Sequence, residues 1–134
     1  MFKILPHTAD IKFKVEAKNF LDLFRNSLNA INFYLKPRHK KKTKFFVLNI
    51  NKDITPDNKT DILIDFLNEI LSLTYIKKMI FKIKKIEIEN GVLKITLIGN
   101  RYQGLEKEIK SITYHQAKLY EKNNNFIFEF IIDV

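Results

Sequence analysis

Ile11-Lys12-Phe13-Lys14-Val15-Glu16-Ala17 alternates apolar and charged or polar side chains without interruption, and three residues later, at Phe20, the rhythm changes. A period of two is the signature of a strand with one buried and one wetted face. From Phe20 onward the apolar residues fall at Phe20, Phe24, Leu28, Ile31 and Leu35, widened by Leu21 and Leu23, which is the stripe of a helix over about 20–35. Asn19, with Asp22 three residues on, supplies a cap for its first turn, and Pro37 ends it.

Working outward from this strand and helix, Arg38 to Lys44 is a basic connection into a strand at about Phe45 to Ile50. Asn51 to Lys59 reads as a polar loop containing Pro56, after which Thr60 is placed to cap a second helix, with Asp61 near its positive end. Ile62, Leu63, Phe66, Leu67, Ile70, Leu71 and Leu73 give that helix an apolar face too broad for contact with one neighbour, so it is expected to lie deep against a sheet and to end near Ile76. Strands follow. Phe81 and Ile83 share one phase and Ile86 and Ile88 the other, which predicts a bulge near Lys84 and Lys85. Asn90-Gly91 is a two-residue hairpin turn, and Leu93, Ile95 and Leu97 continue the partner strand. Gly99 to Lys107 reads as a loop, Glu108 to Tyr114 and Gln116 to Glu121 as two strands, and Asn123 to Asn125 as a turn. The last strand, Phe126 to Ile132, is apolar on both faces and so belongs in the middle of a sheet. The fold class is α+β, with two helices packed on largely antiparallel β-sheet in a single compact domain spanning residues 1–134.

Composition narrows the chemistry. At 46% hydrophobic with twelve Phe, the 134 residues can bury a core without staples, and the absence of cysteine removes disulfides, thiolate nucleophiles, cysteine zinc sites and iron–sulfur clusters together. The 24 Lys and Arg against 15 Asp and Glu leave +9, which favours anionic partners, yet only Arg25, Arg38 and Arg101 carry the guanidinium fork suited to reading phosphates and base edges. Met1 to Pro6 is too short an apolar stretch for the core of a signal peptide, and Phe126 to Val134 is far short of a membrane span, so a cytoplasmic protein is expected.

His7, His39 and His115 lack the spacing of a helical zinc site, no Gly-x-Ser-x-Gly elbow surrounds a serine, and Gly91, Gly99 and Gly104 do not form a phosphate loop. What remains is a pair of carboxylates at strand ends: Asp10, closing Leu5-Pro6-His7-Thr8-Ala9-Asp10, and Asp133, beside Val134. Brought together they repel unless a cation neutralises them, and oxygen-only ligands suit calcium, magnesium or manganese. Taken by themselves, Asp10 serves equally as a turn cap and Asp133 as a solvated terminal residue.

His7-Thr8-Ala9-Asp10 before an alternating strand, Asp65-Phe66-Leu67-Asn68-Glu69-Ile70-Leu71, Glu108-Ile109-Lys110-Ser111-Ile112-Thr113-Tyr114-His115 and the terminal Ile131-Ile132-Asp133-Val134 together resemble the archease family, in order and over essentially the whole chain. The chain departs from the family pattern after helix one, where Leu35-Lys36-Pro37 stands in place of a frequent acidic residue, so no role for that acid carries over. The resemblance implies an accessory activator, itself no enzyme, of the RNA ligase that joins a 2′,3′-cyclic phosphate or 3′-phosphate end to a 5′-hydroxyl in tRNA splicing. It implies promotion of ligase guanylylation and multiple turnover, with tRNA as an indirect partner. The family's metal ligands match Asp10, Asp133 and Val134, the last through main-chain oxygen, with calcium the divalent ion implied. A functionally important family lysine matches Lys110, and His7 is a candidate to support Asp10. The competing classes are a basic RNA-binding or tRNA-modification adaptor, using Lys40 to Lys44 and Lys77 to Lys85, and a small chaperone.

Overall fold

The computed structural model describes residues 1–5, 10–38 and 45–134; His7, with its neighbours 6–9, and the basic run from His39 to Lys44 lie outside the described residues. The elements run β1 (Phe2–Leu5), β2 (Ile11–Ala17), α1 (Phe20–Leu35), β3 (Pro37–Arg38), β4 (Phe45–Asp53), α2 (Lys59–Lys77), β5 (Met79–Glu89), β6 (Val92–Arg101), β7 (Gly104–Leu105), β8 (Ser111–Lys122) and β9 (Asn125–Asp133). A four-stranded sheet has the order β1-β2-β9-β8, a three-stranded sheet the order β4-β6-β5, and β3 pairs with β7 as a small ribbon. Every pairing is antiparallel.

The alternation of β2 resolves as expected: Phe13, Val15 and Ala17 are buried, while Lys12, Lys14 and Glu16 stand on the other face. Helix α1 begins at Phe20 because Asn19 Oδ1 accepts the Asp22 N–H at 2.9 Å, and it stops where Lys36 turns left-handed (φ 51°) before Pro37. Its buried stripe, including Leu23, Phe24, Leu28, Ile31 and Leu35, joins Phe13 of β2, Phe66 of α2 and Phe81 of β5 in one core between the sheets. Strand β9 lies between β2 and β8, which accounts for its apolar residues on both faces.

Helix side chains also occupy the sheets' outer edges. Arg25 and Asn32 of α1 donate to the carbonyls of Ile83 and Phe81 on edge strand β5, at 2.7 and 2.9 Å. Asn68 of α2 pairs with both backbone groups of Ile112 on edge strand β8. The backbone groups at these positions, which lack a strand partner, are thereby satisfied.

Several sequence expectations need correction. Strand β4 continues through Asp53, shortening the loop that was to begin at Asn51. Thr60 lies inside α2; Asn58 holds the N-cap position, with its side chain tying the preceding turn by accepting from Thr55 N–H and donating to Asp53 carbonyl. The segment from Gly99 to Lys107 is no simple loop, since β6 runs to Arg101 and β7 follows. Glu108 to Lys110 precede β8, and the two strands expected on either side of His115 are one, interrupted by a bulge at which residues 114–117 stand opposite Phe130 alone. Strand β1 and the β3–β7 ribbon are too short to carry a readable period. The bulge between Ile83 and Lys85 and the Asn90-Gly91 turn, with φ of 52° and 75°, lie where the sequence puts them.

Candidate functional site

Residues at one end of the four-stranded sheet build the site. Ile11 of β2 faces Ile132 of β9 in the last pair of that ladder, and the next residue on each chain, Asp10 and Asp133, lies at the same end of the sheet. On the other side of β9, Ser111 of β8 faces Asp133. Paired residues on neighbouring strands share a face, so Asp133 and Ser111 lie together on the face away from the core, and Asp10 immediately precedes β2 at the same end. The backbone at this end is fixed by the Lys110 N–H, which donates to the Asp133 carbonyl at 2.7 Å. The same register brings Lys110 beside Val134, with Lys110 exposed and Val134 partly so. Four of the predicted site residues, Asp10, Lys110, Asp133 and Val134, thus meet at one sheet end; His7 lies outside the described residues.

Asp10 and Asp133 have no cation within ion-pair distance among the described residues, although Lys12 is two positions from Asp10 on the same face. Lys12 is committed elsewhere. Its Nζ lies 3.0 Å from Glu129 Oε1, with the two side chains 21% and 14% exposed, and the Tyr120 hydroxyl donates to Glu129 Oε2 at 2.5 Å. The Tyr120 hydrogen bond, and after it Lys12, holds the Glu129 carboxyl below its usual range; reciprocally, the bond to Glu129 pushes the Tyr120 phenol up to about 12. Lys12, two positions from Asp10 on one face, is thus engaged one row further in, a relationship that the strand alternation does not reveal.

The donor set at the tip is oxygen only: two carboxylates at one sheet end, with the main chain of Val134 next to Asp133. That chemistry fits a hard divalent cation. Among the described residues, no group of three or more His, Cys, Asp and Glu side chains converges, so protein carboxylates would fill a minority of such an ion's positions. His115 is exposed at the β8 bulge, where its N–H donates to Thr113 Oγ1 at 2.8 Å. Tyr114, beside it, donates to Asp65 on α2, which pushes its phenol up to about 12. This Tyr114–Asp65 contact joins two of the segments that carry the family resemblance, and spacing alone gave no sign of it.

A sequence profile described as the Archease protein family matches residues 2–134. The chain belongs to the archease family. It is 27% identical to the Protein archease of Methanosarcina barkeri over 152 aligned positions, covering 99% of this chain and 95% of that protein, and 26% identical to the Methanosarcina mazei Protein archease with the same coverage. Among solved structures, the solution structure of Methanobacterium thermoautotrophicum protein 1598 superimposes with a TM-score of 0.75 at 18% identity, covering 99% of this chain and 98% of that one. A Thermotoga maritima crystal structure described as an archease, possible chaperone, gives 0.67 at 22% identity, with 98% and 96% covered. The two-helix, antiparallel architecture is therefore the archease fold. No helix among the described residues is long and apolar enough to cross a membrane.

Proposed function

We propose that this archease is an accessory activator of the tRNA-splicing RNA ligase, and that the sheet end carrying Asp10 and Asp133 is its working part. The observation that carries the reading is the arrival of Asp10 and Asp133 at one sheet end, each directly after the terminal Ile11–Ile132 pair, with no ion-pair partner among the described residues, while the nearby Lys12 is held by Glu129. Like charges placed opposite each other on adjacent strands are destabilising, and a sheet end that keeps such a pair is suited to sharing a cation. Asp10, Asp133 and main-chain oxygen of Val134 would hold a divalent ion, calcium by family, with magnesium or manganese as alternatives. When bound, that ion supplies positive charge at an exposed tip. Lys110, exposed beside it, is positioned to meet a phosphate or a carboxylate of the ligase.

Activation on this reading requires no bond-making in this chain. A protein that binds the guanylylation-competent ligase conformation more tightly than the resting one shifts the population between them, and each ~1.4 kcal/mol of differential affinity shifts it tenfold. The RNA-adaptor alternative is less well supported. Lys77 lies over the Phe46 ring at 4.8 Å and Lys85 pairs with Glu87 at 3.7 Å, so part of the Lys77 to Lys85 charge is internally engaged.

The deciding experiment is a multiple-turnover ligation assay with purified ligase stalled after one round. The parent protein should restore product formation, and folded Asp10→Ala and Asp133→Ala variants should lose at least tenfold of that stimulation. Equal stimulation by these variants removes the acidic tip from the mechanism. Tight, steeply salt-dependent RNA binding without ligase stimulation would favour the adaptor.

A further inference from the structure

A cavity of about 730 Å³ opens at the C-terminal end of α1, between β1 and β5, and its walls are largely apolar: Ile4, Ile11, Phe33, Tyr34 and Ile80. Its size lies within the roughly 300–1,000 Å³ of sites that bury a ligand. Phe33 is 65% exposed although its ring packs 5.2 Å from that of Phe2, so a large aromatic on a helix is left half-covered at the cavity's edge. The rim is basic. Lys36, Lys82 and Lys107 line it and no carboxylate is among the described residues that do; Lys36 pairs with Glu106 at 3.2 Å, and Lys107 sits 4.9 Å above the Tyr34 ring.

Strand β1 forms one wall and ends its sheet, so its second edge has no strand partner among the described residues. The Glu16 N–H donates to the Met1 carbonyl, which marks Met1–Glu16 as a hydrogen-bonded pair. By the two-residue alternation of an antiparallel ladder, Lys3 and Leu5 also point their backbone groups at β2, whereas Phe2 and Ile4 turn theirs outward. Phe2 and Ile4 point their side chains to the core face, beside Phe33.

We propose that this cleft is a docking site for an extended, acidic segment of a partner protein, which adds to the free edge of β1 as a strand. Every second side chain of such a segment lies on the face that carries Ile4, so an apolar residue there enters the cavity and covers Phe33. Asp or Glu residues two positions to either side share that face and meet Lys82 and Lys107, whose ammonium groups have no carboxylate partner among the described residues. The edge fixes the segment's conformation, the cavity selects its apolar residue and the rim selects its charge. The inference is independent of the ligase reading, because neither Asp10 nor Asp133 takes part.

The test is an amide NMR titration of the full chain with a blocked pentapeptide of glutamate, valine, phenylalanine, valine and glutamate, whose first, third and fifth side chains share one face of a strand. Saturable shifts at Phe2, Ile4, Phe33 and Lys82 are expected. The same peptide with lysine in place of glutamate should bind at least tenfold more weakly. Phe33→Ser, at an exposed position, should weaken the acidic peptide tenfold or more, and Ile4→Pro should do so while preserving the β1–β2 ladder, because it removes only an outward N–H. Charge-independent binding, unchanged affinity in both variants, or shifts at these amides with dodecanoate but not with the peptide would each overturn the proposal, the last by assigning the cleft to an acyl chain.

Discussion

Asn68 on α2 satisfies both backbone groups of Ile112 on β8, donating through Nδ2 to the carbonyl at 2.7 Å and accepting the N–H through Oδ1 at 2.9 Å. A helix side chain here takes the part of a neighbouring strand. Ile112 is 2% exposed, so water cannot replace the amide without local opening. Asn68→Ala should therefore destabilise the fold by about 2 kcal/mol or more, the order expected for stranding a buried donor and acceptor. Urea unfolding is the measurement, and a midpoint unchanged from the parent would show that the β8 edge is satisfied in some other way. Tyr75 closes the next stretch of the same segment, its hydroxyl accepting the Ile109 N–H and donating to the Ile109 carbonyl. Tyr75→Phe should lower the midpoint as well, since Ile109, fully buried, then loses the partner of both its backbone groups.

The Lys12–Glu129–Tyr120 cluster gives the protein a pH-dependent stability with two limbs. Glu129 is held below its ordinary 4.5 in the fold, chiefly by Tyr120 and then Lys12, so its contribution is present above the unfolded value and lost as pH falls through the folded one. Tyr120 titrates at about 12 in the fold against an ordinary 10.0, so its contribution is complete below pH 10 and lost as pH rises towards 12. Tyr114, bonded to Asp65, adds to the alkaline limb with the same sign. Denaturation midpoints measured from pH 3 to pH 11 should fall at both ends, and Glu129→Gln should flatten the acid limb. A parent and a Glu129→Gln variant with the same acid dependence would show that this carboxylate contributes nothing to it.

Gly99 sits in β6 where a methyl group has no room: an added Cβ would lie 2.7 Å from Phe81 Cε1 and 3.1 Å from Met79 Sδ. Phe81 is fully buried and cannot swing away without disturbing the core. Gly99→Ala should cost about 1–3 kcal/mol, the usual penalty of overpacking, measured by the same unfolding assay. The sequence pattern places Gly99 at the start of a loop. Its position in the structure shows the other meaning of such a residue, a close approach of an aromatic ring to the strand.

What the sequence discloses and withholds follows from range. The alternation in Ile11 to Ala17 and the stripe from Phe20 to Leu35 are local patterns, and both elements occur over the residues the pattern marks. Strand β8 is different: the left-handed Gln116 (φ 59°) and the four residues set against Phe130 shift its phase midway, so one strand reads as two. Strand β1 has four residues and only an edge to pair with, too little for a period to emerge. At the candidate site, Asp10 and Asp133 are visible as acids at strand ends, but their arrival at one sheet end depends on β2 and β9 being neighbours, a long-range pairing that periodicity does not show. That Lys12 reaches diagonally to Glu129 instead of to the acidic pair is set by side-chain geometry on one sheet face, and no pattern in the chain encodes it.

The last expectation concerns the acidic tip in the isolated protein, apart from any ligase. If Asp10 and Asp133 face each other without a counter-charge, their repulsion opposes folding, and Asp10→Asn or Asp133→Asn should raise stability in chelator by about 0.2–1 kcal/mol, the range for like charges directly opposite on paired strands. Calcium at millimolar concentration should then raise the melting temperature of the parent, because a ligand that binds only the folded state stabilises it according to its concentration relative to Kd. The two variants should lose that response, so that parent and variants change order between chelator and calcium. The crossing separates a shared cation from simple repulsion, which would leave the variants ahead in both buffers. It also separates either from a pair of well-solvated side chains, for which neither substitution nor calcium moves the transition.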